Sequence, residues 1–465
     1  MFGWGILGIL FFLSGTIYFA REWKFIRRNK RLMIVSYFRA MYALTYGIIP
    51  SFLCLDYAVN GTEYALKSLI IMDYSNDALF CLYTFWGLSV IAYCMFSGAY
   101  TSMRKKTFVF NQVKRDKSRI SIKLSENQIF YIALASLCIG CFSLYMWTVD
   151  LGGVLKFIPL ASGIRGDYLN TYGNTHMAWR QPARICLPAS YLFFFLAIGN
   201  QYKHKIRNVF MTFVSMFVAA LFLLCNDGRL TIAYYFVVLS IGFFTHATLN
   251  IKNPKKFFLR VGALAVAAAI LLAKLDSITY FFRHWEPMPS AGTEGSGIIS
   301  TLVEEFLFVP KSGIVSIDTN ILHFGPLKIL DDLAIGLTAY IPSRFLPSGF
   351  DNIWRYNTML CTGSSSPTMA TIPCDLVSLS VYDLGLLGVF VIPVVIGSFL
   401  AQIENHFRKR EEDAYHLTMY YGFVLAFLRL PSYANLNDFM LGMFAYVVLF
   451  IVAHGIRFIK EIQRR

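Results

Sequence analysis

The chain has 465 residues, of which 56% are hydrophobic and 15% charged, with a formal net charge of +15. That balance excludes an ordinary soluble domain. The excess of positive charge does not point to nucleic acid, because the basic residues are spread among separate loops rather than gathered on one stripe.

Apolar runs long enough to cross a hydrocarbon core of roughly 30 Å recur along the whole length. In chain order they predict spans at 3–20, 32–54, 78–98, 127–149, 183–200, 209–225, 230–249, 258–275, 385–403, 417–431 and 438–456. The first run, GWGILGILFFLSGTIYFA, lacks a basic segment before it and carries its basic cluster after it, so it reads as a retained span and not a cleavable signal. The fold class is therefore all-α: a polytopic integral membrane protein of about eleven helices, forming one membrane domain over 1–465. No internal repeat or low-complexity tract stands out.

Basic residues cluster in alternate loops. REWKFIRRNKR, the stretch 104–123, KHKIR, IKNPKKFFLR, FRKR and RFIKEIQRR hold 28 of the 42 Lys and Arg. The positive-inside rule puts these six segments in the cytoplasm, with the N-terminus outside and the C-terminus inside. Outward connections then fall at 55–77, 150–182, 226–229, 276–384 and 432–437.

Fourteen cations remain off the cytoplasmic loops. Arginine suits two-pronged phosphate binding better than lysine does. Arg229 is the sharpest case: in CNDGRLTI it opens a predicted helix whose free N–H groups would point outward, with Asp227 beside it. An anion at this mouth would meet the helix end and a guanidinium together; the plainer reading is a turn with a snorkelling side chain. Arg165 lies in SGIRGDYLNTYGN, a Gly-, Asn- and Tyr-rich loop suited to a sugar and equally to plain solvation. Arg180 and Arg184, in WRQPAR, rank lower. Arg39 is expected to snorkel to the cytoplasmic face, and Lys274 and Arg429 either snorkel outward or face a cavity.

The outward segment 276–384 reads as structured. IISTLVEEFLFV and LKILDDLAIGLTAYI both carry apolar residues at helical spacing, the second at Leu327, Leu330, Leu333, Leu337 and Ile341. Such helices lie on the membrane face or pack over the bundle. Pro342 and Pro347 frame Arg344, and Arg283 and Arg355 lie in the same segment. The general bases on offer are His284, His323, Glu304, Glu305, Asp331, Asp332, Asp351, Asp375 and Asp383. On a helix Asp331 and Asp332 point in different directions. No metal-ligand spacing, nucleotide loop or cofactor motif occurs, so no metal or cofactor is implied. Cys361 and Cys374 share the segment and would pair if it faces an oxidising compartment.

Three features resemble the O-antigen, or oligosaccharide repeat-unit, polymerases of the bacterial inner membrane, with the enterobacterial common antigen polymerase as a relative. They are Asp227-Gly228-Arg229 at a helix start, the turn Tyr340-Ile341-Pro342-Ser343-Arg344-Phe345-Leu346-Pro347, and the run SSPTMATIPCDLVSLSVYDLGLLGVFVIP. The likeness spans roughly 130–400. It departs from the family where Asp227-Gly228 replaces Gly and a small residue, and in lacking an outward Arg separated by ten residues from a Gly. The resemblance implies a GT-C-like glycosyltransferase whose donor and acceptor are undecaprenyl-diphosphate-linked oligosaccharides. It implies an apolar groove for the polyprenyl tail and inversion at the anomeric carbon. A chain-length-regulating co-polymerase and membrane lipid are the further partners it leaves open, and nucleic acid is not among them. On this reading Arg229, Arg344 and Arg165, with Arg283 and Arg355 in reserve, hold the diphosphate, and His323 or Asp332 takes the acceptor proton. An O-antigen ligase shares the same carrier and arginine logic. A flippase for the same lipid-linked sugar would instead show ionisable residues deep in its spans.

Overall fold

The structure, a computed structural model, describes residues 2–30, 32–61, 74–110, 124–166, 176–226, 229–245, 251, 253–264, 266–267, 270, 306–341, 352–363, 372–407 and 413–464. Among these there is no strand. In chain order the helices are α1 (Phe2–Asn29), α2 (Ile34–Ala43), α3 (Ile49–Asn60), α4 (Tyr74–Phe85), α5 (Ala92–Phe110), α6 (Glu126–Thr148), α7 (Val154–Gly166), α8 (Arg180–Ala183) and α9 (Cys186–Ile198). They continue with α10 (Lys205–Asn226), α11 (Arg229–Phe244), α12 (Phe308–Ile317), α13 (Ile329–Leu337), α14 (Ile353–Thr362), α15 (Leu376–Phe407), α16 (Ala414–Arg429) and α17 (Leu436–Arg464). Turns of π-helix at Leu44–Ile48 and Trp86–Ile91 join α2 to α3 and α4 to α5, and a third, Asp318–Leu322, ends α12.

Among the described residues, eight helical stretches are long and apolar enough to cross a membrane: Gly3–Asn29, Ile34–Val59, Asp77–Met103, Glu126–Leu151, Arg180–Ile198, Lys205–Asn226, Leu376–Phe407 and Leu436–Ile459. α11 and α16, which fall on two further predicted spans, are 16 residues each. Of the predicted span 258–275, residues 258–264 are helical and 271–275 lie outside the described set. Large apolar side chains cover the exposed faces of these helices. Ile6, Ile9, Leu10, Leu13 and Ile17 do so on α1, and Phe210, Phe213 and Phe217 on α10. Apolar faces of this kind suit hydrocarbon rather than water. The protein is embedded in a membrane.

The chain divides into two compact units. The first comprises 1–114, 293–409 and 427–439; the second comprises 115–292, 410–426 and 440–465.

In the first unit α5 and α15 lie against each other through glycines. A Cβ at Gly397 would sit 2.1 Å from the Met95 carbonyl oxygen, and one at Gly98 2.6 Å from that of Val394. Small residues at such crossings let backbones approach and gain dispersion contacts where no hydrophobic drive separates protein from lipid. Arg39, expected to snorkel, is paired instead. Its Nη1 lies 2.9 Å from Glu22 Oε2, and its guanidinium covers the rings of Phe25 and Phe96. A carboxylate one helix away costs less than dragging the charge to the interface.

α15 begins nine residues before the predicted span at 385, and its backbone breaks at that residue: Gly385 has φ 58° and ψ −138°, a conformation that favours glycine. The early start comes from Asp375. Its carboxylate accepts the N–H groups of Val377 (3.1 Å) and Ser378 (3.2 Å), the Ser378 hydroxyl, and the hydroxyls of Tyr46 (2.5 Å) and Tyr83 (3.1 Å). An acid read from sequence as a loop residue is thus a helix cap buried in the bundle. The π-turns carry the tyrosines to it: Tyr46 lies in the first, and Tyr42 donates to the carbonyl of Gly87 in the second.

In the second unit, rings of Tyr191, Phe195, Tyr235 and Tyr421 pack in sequence, with Tyr235 donating to Ser190 at 2.7 Å. Glu126, at the head of α6, accepts the N–H groups of Lys203 (2.8 Å) and His204 (3.0 Å) and the Asn208 amide (3.1 Å), which ties α6 to the start of α10.

Replacing Asp375 by Ala removes a helix cap, worth about 0.5–2 kcal/mol. It also strands the buried Tyr83 hydroxyl at about 1–3 kcal/mol, while Tyr46 keeps the Pro431 carbonyl at 3.3 Å. The expected loss is about 3 kcal/mol, read as a lowered unfolding temperature of the detergent-solubilised protein.

Candidate functional site

The second unit gathers cations at the end where α10 stops and α11 starts. Asn226, the last residue of α10, is 1% exposed. Its Oδ1 accepts from Arg180 Nε at 2.5 Å, and the Arg180 guanidinium lies over the Trp147 ring. Arg184, one turn further on, is buried. Asp150 and His176 pair at 2.6 Å just beyond α6. Asn226 of CNDGRLTI is therefore a clamp for Arg180. Arg229 is the first residue of α11, but its side chain lies outside the described residues, as do Asp227 and Gly228. Arg165 falls within α7, not in a loop, and its side chain too lies outside them. Sequence ranked Arg180 and Arg184 below Arg229 and Arg165. The missed signal was Asn226, an amide at the very end of an apolar span with an arginine partner 46 residues upstream.

The first unit gathers carboxylates where α13, α14, α15 and the start of α17 meet. α13 is amphipathic as predicted, but its apolar row faces out: Leu327, Leu330, Leu333, Leu337 and Ile341 are all exposed. Its other side turns Asp332 inward, 5% exposed, where it accepts the N–H of Leu436. Gly336 permits this closeness, since a Cβ there would meet the Leu436 side chain at 2.4 Å. Asp331 points away, as its neighbouring position on a helix requires, and takes Lys328 Nζ at 3.0 Å. The backbone N–H of Lys328 donates to the Tyr382 carbonyl at 2.8 Å, which fixes the head of α13 beside residue 383. Asp383 is 3% exposed, and its Oδ1 has no hydrogen-bond partner. It interacts electrostatically with Asp332.

Around this pair runs a satisfied network. Tyr382 donates to Asn357 Oδ1 (2.7 Å), Asn357 donates to Ser312 (2.8 Å), and Trp354 Nε1 donates to the Ala434 carbonyl (3.1 Å). Arg429, expected to snorkel or face a cavity, pairs with Asp438 at 3.3 Å. Burial pushes the Asp332 carboxyl up to about 6, and the Leu436 N–H only partly offsets it. A carboxylate at that level takes up a proton readily near neutral pH, the property a general base needs.

Of the two predicted bases, His323 is solvent-facing, with Nδ1 on the Asp318 carbonyl at 2.9 Å and no hydrogen bond or ion pair to Asp332. The structure does not bring the two together. Arg355 sits exposed on α14, while Arg344 and Arg283 lie outside the described residues. So do the bases His284, Glu304, Glu305 and Asp351. Cys361 and Cys374 are free thiols here. Cys374 donates to the Ala434 carbonyl at 2.9 Å, Cys361 is 3.7 Å from Asn357 Oδ1, and burial pushes the Cys361 thiol up to about 11. Asp383 stood among nine candidate bases in the sequence, with nothing to raise it above the rest; its signal was an acid two residues ahead of the glycine that opens an apolar span.

Comparison of the chain with family models, characterised proteins and solved structures finds no match.

The raised Asp332 carboxyl makes stability depend on pH. Folding favours its neutral form, so its contribution is complete below about pH 4 and is lost as pH rises through about 6. A shift of about two units is worth about 3 kcal/mol. Asp332→Asn keeps an oxygen for the Leu436 N–H and removes the titration. The variant is expected to unfold at a higher temperature than the parent at pH 7.5 and at a similar temperature at pH 4, in thermal melts across that range.

Proposed function

We propose that the protein is a lipid-linked glycan polymerase of the bacterial inner membrane. On this reading it has eleven spans in a GT-C-like arrangement, with the N-terminus periplasmic and the C-terminus cytoplasmic. It joins undecaprenyl-diphosphate-linked repeat units into O-antigen or a related surface polysaccharide on the periplasmic face. The observation that carries the reading is Asp332, a buried carboxyl pushed up to about 6 on an amphipathic helix of the first unit.

The chemistry asks for a proton acceptor at the attacking hydroxyl and fixed positive charge at the leaving diphosphate. Asp332 is the proposed acceptor, preferred to His323 because it is buried and accepts the Leu436 N–H while His323 faces solvent. As the glycosidic bond to phosphate breaks, negative charge grows on the diphosphate, and guanidinium groups stabilise that charge most in the transition state. Arg229, Arg344 and Arg165 are the proposed diphosphate ligands, with Arg283 and Arg355 behind them. Attack from the face opposite the leaving group inverts the anomeric carbon. The surplus of cations off the basic loops supports this assignment: the orientation rule selects against them unless they have work to do.

Asp332→Asn is expected to lower the rate of chain elongation by about 10²–10⁴, the usual contribution of a positioned base, while the protein remains folded. Arg229→Ala and Arg344→Ala are each expected to abolish long-chain glycan with membrane insertion intact, and Arg229→Lys to restore little of it. The assay is purified protein with a synthetic diphosphate-linked repeat unit, product size being the readout. Normal ladders from both alanine variants would rule out the arginine assignment. Product with lipid A core as the acceptor would make the protein a ligase.

A further inference from the structure

Asp332 and Asp383 are both buried in the first unit, where the head of α13 is hydrogen-bonded to the Tyr382 carbonyl, and among the described residues neither carboxyl is in an ion pair. Among the described residues, several charged and titratable groups lie on the neighbouring elements. On α12, Lys311 interacts with Cys361 of α14. On α13, Lys328 is bonded to Asp331 and lies over the Tyr356 ring. On α17, Asp438 is paired with Arg429 at the end of α16. From α14 come Tyr356 and the exposed Arg355. Ahead of α15, Cys374 donates to a carbonyl, and Asp375 is saturated by two tyrosines, a serine and two backbone N–H groups. On α15 itself, Tyr382 donates to Asn357. Two carboxylates buried in one such setting would each pay a large desolvation penalty and repel the other. Two carboxyls alone are also a poor cage for a metal ion, since hard cations take six or more oxygens.

We infer that Asp332 and Asp383 work as a pair holding a single proton, with the negative charge on Asp332 and the proton on Asp383. The hydrogen bonding decides which is which. Asp332 accepts the Leu436 N–H, which favours an anion there. Asp383 Oδ1 receives no donor, and a buried carboxylate oxygen without one is the costlier of the two to charge. Asp383 is thus a positioning residue. It keeps a second charge away from Asp332 and leaves Asp332 as the anion near neutral pH. The pairing rests on the geometry of the first unit alone; under the polymerase reading it is what makes Asp332 available as the base.

The test is the infrared carbonyl stretch of an unionised carboxylic acid, followed with pH in the purified full-length protein and in Asp383→Asn. The parent is expected to show the band at pH 7.5 and to lose it on alkaline titration, and Asp383→Asn to lack it. Because an amide resembles the neutral acid, Asp383→Asn should melt within a few degrees of the parent at pH 7.5 and hold its stability further into the alkaline range. The inference is overturned if the parent shows no such band at pH 7.5, if the band survives in Asp383→Asn, or if that variant is strongly destabilised at pH 7.5. None of these readouts uses a glycan substrate, so failure of the polymerase assay and failure of the proton pair are separate results.

Discussion

Inside a lipid-embedded bundle a polar group has no water to fall back on, and the first unit is organised by how it meets that constraint at Asp375. The carboxylate lets a helix begin in the middle of apolar surroundings. Five donors converge on it, from two other helices and from its own first turn. Two of those donors are tyrosines from stretches associated with π-turns, where an extra residue per turn shifts the side-chain register. From this point α15 runs to Gly385, bends, and continues along α5. Residue 383 sits where it does because Asp375 starts the helix and Gly385 breaks it.

The same constraint explains the fate of the arginines. Sequence hydropathy treats a charge in a span as a cost to be relieved by snorkelling. Arg39, Arg180 and Arg429 are relieved by partners instead: a glutamate, an asparagine with a tryptophan, and an aspartate with a tyrosine. Each partner comes from a different helix, 17, 46 and 9 residues away respectively. A single chain read for apolar runs carries no information about which helices are neighbours, so these pairs were invisible. Cations that are satisfied in this way are weaker candidates for ligand binding, because a phosphate would have to displace a good partner.

What was legible followed from properties that are local in sequence. The membrane class, the all-helical content and the positions of most spans come from runs of apolar residues, which bury or meet lipid wherever their neighbours are. The divergence of Asp331 and Asp332 followed from helical geometry alone. The start of α15 was not legible because DLVSLSVYD mixes serines and acids with aliphatics. Its polar groups are buried only because Tyr46, Tyr83 and Asn357 come to meet them. The difference between His323 and Asp332 was equally closed to sequence, since only packing separates an exposed imidazole from a buried carboxyl.

α13 joins the two kinds of information. Its apolar row was predicted, and its direction was not. Leu330 and Leu337 turn outward, and Leu327 lies 3.6 Å from where a Cβ on Gly385 would be. That contact carries the row on to Leu386 and Leu387, which are equally exposed at the start of the run of α15 beyond its bend. A helix with one face continuous with a lipid-facing surface is held in rotation by that face, as interfacial helices are. Turning it by a single residue, about 100°, would expose Asp332 and bury a leucine. The placement of the Asp332 carboxyl therefore depends on the exposed leucines of the opposite face, and the chemistry proposed for Asp332 presumes the membrane as much as it presumes Leu436.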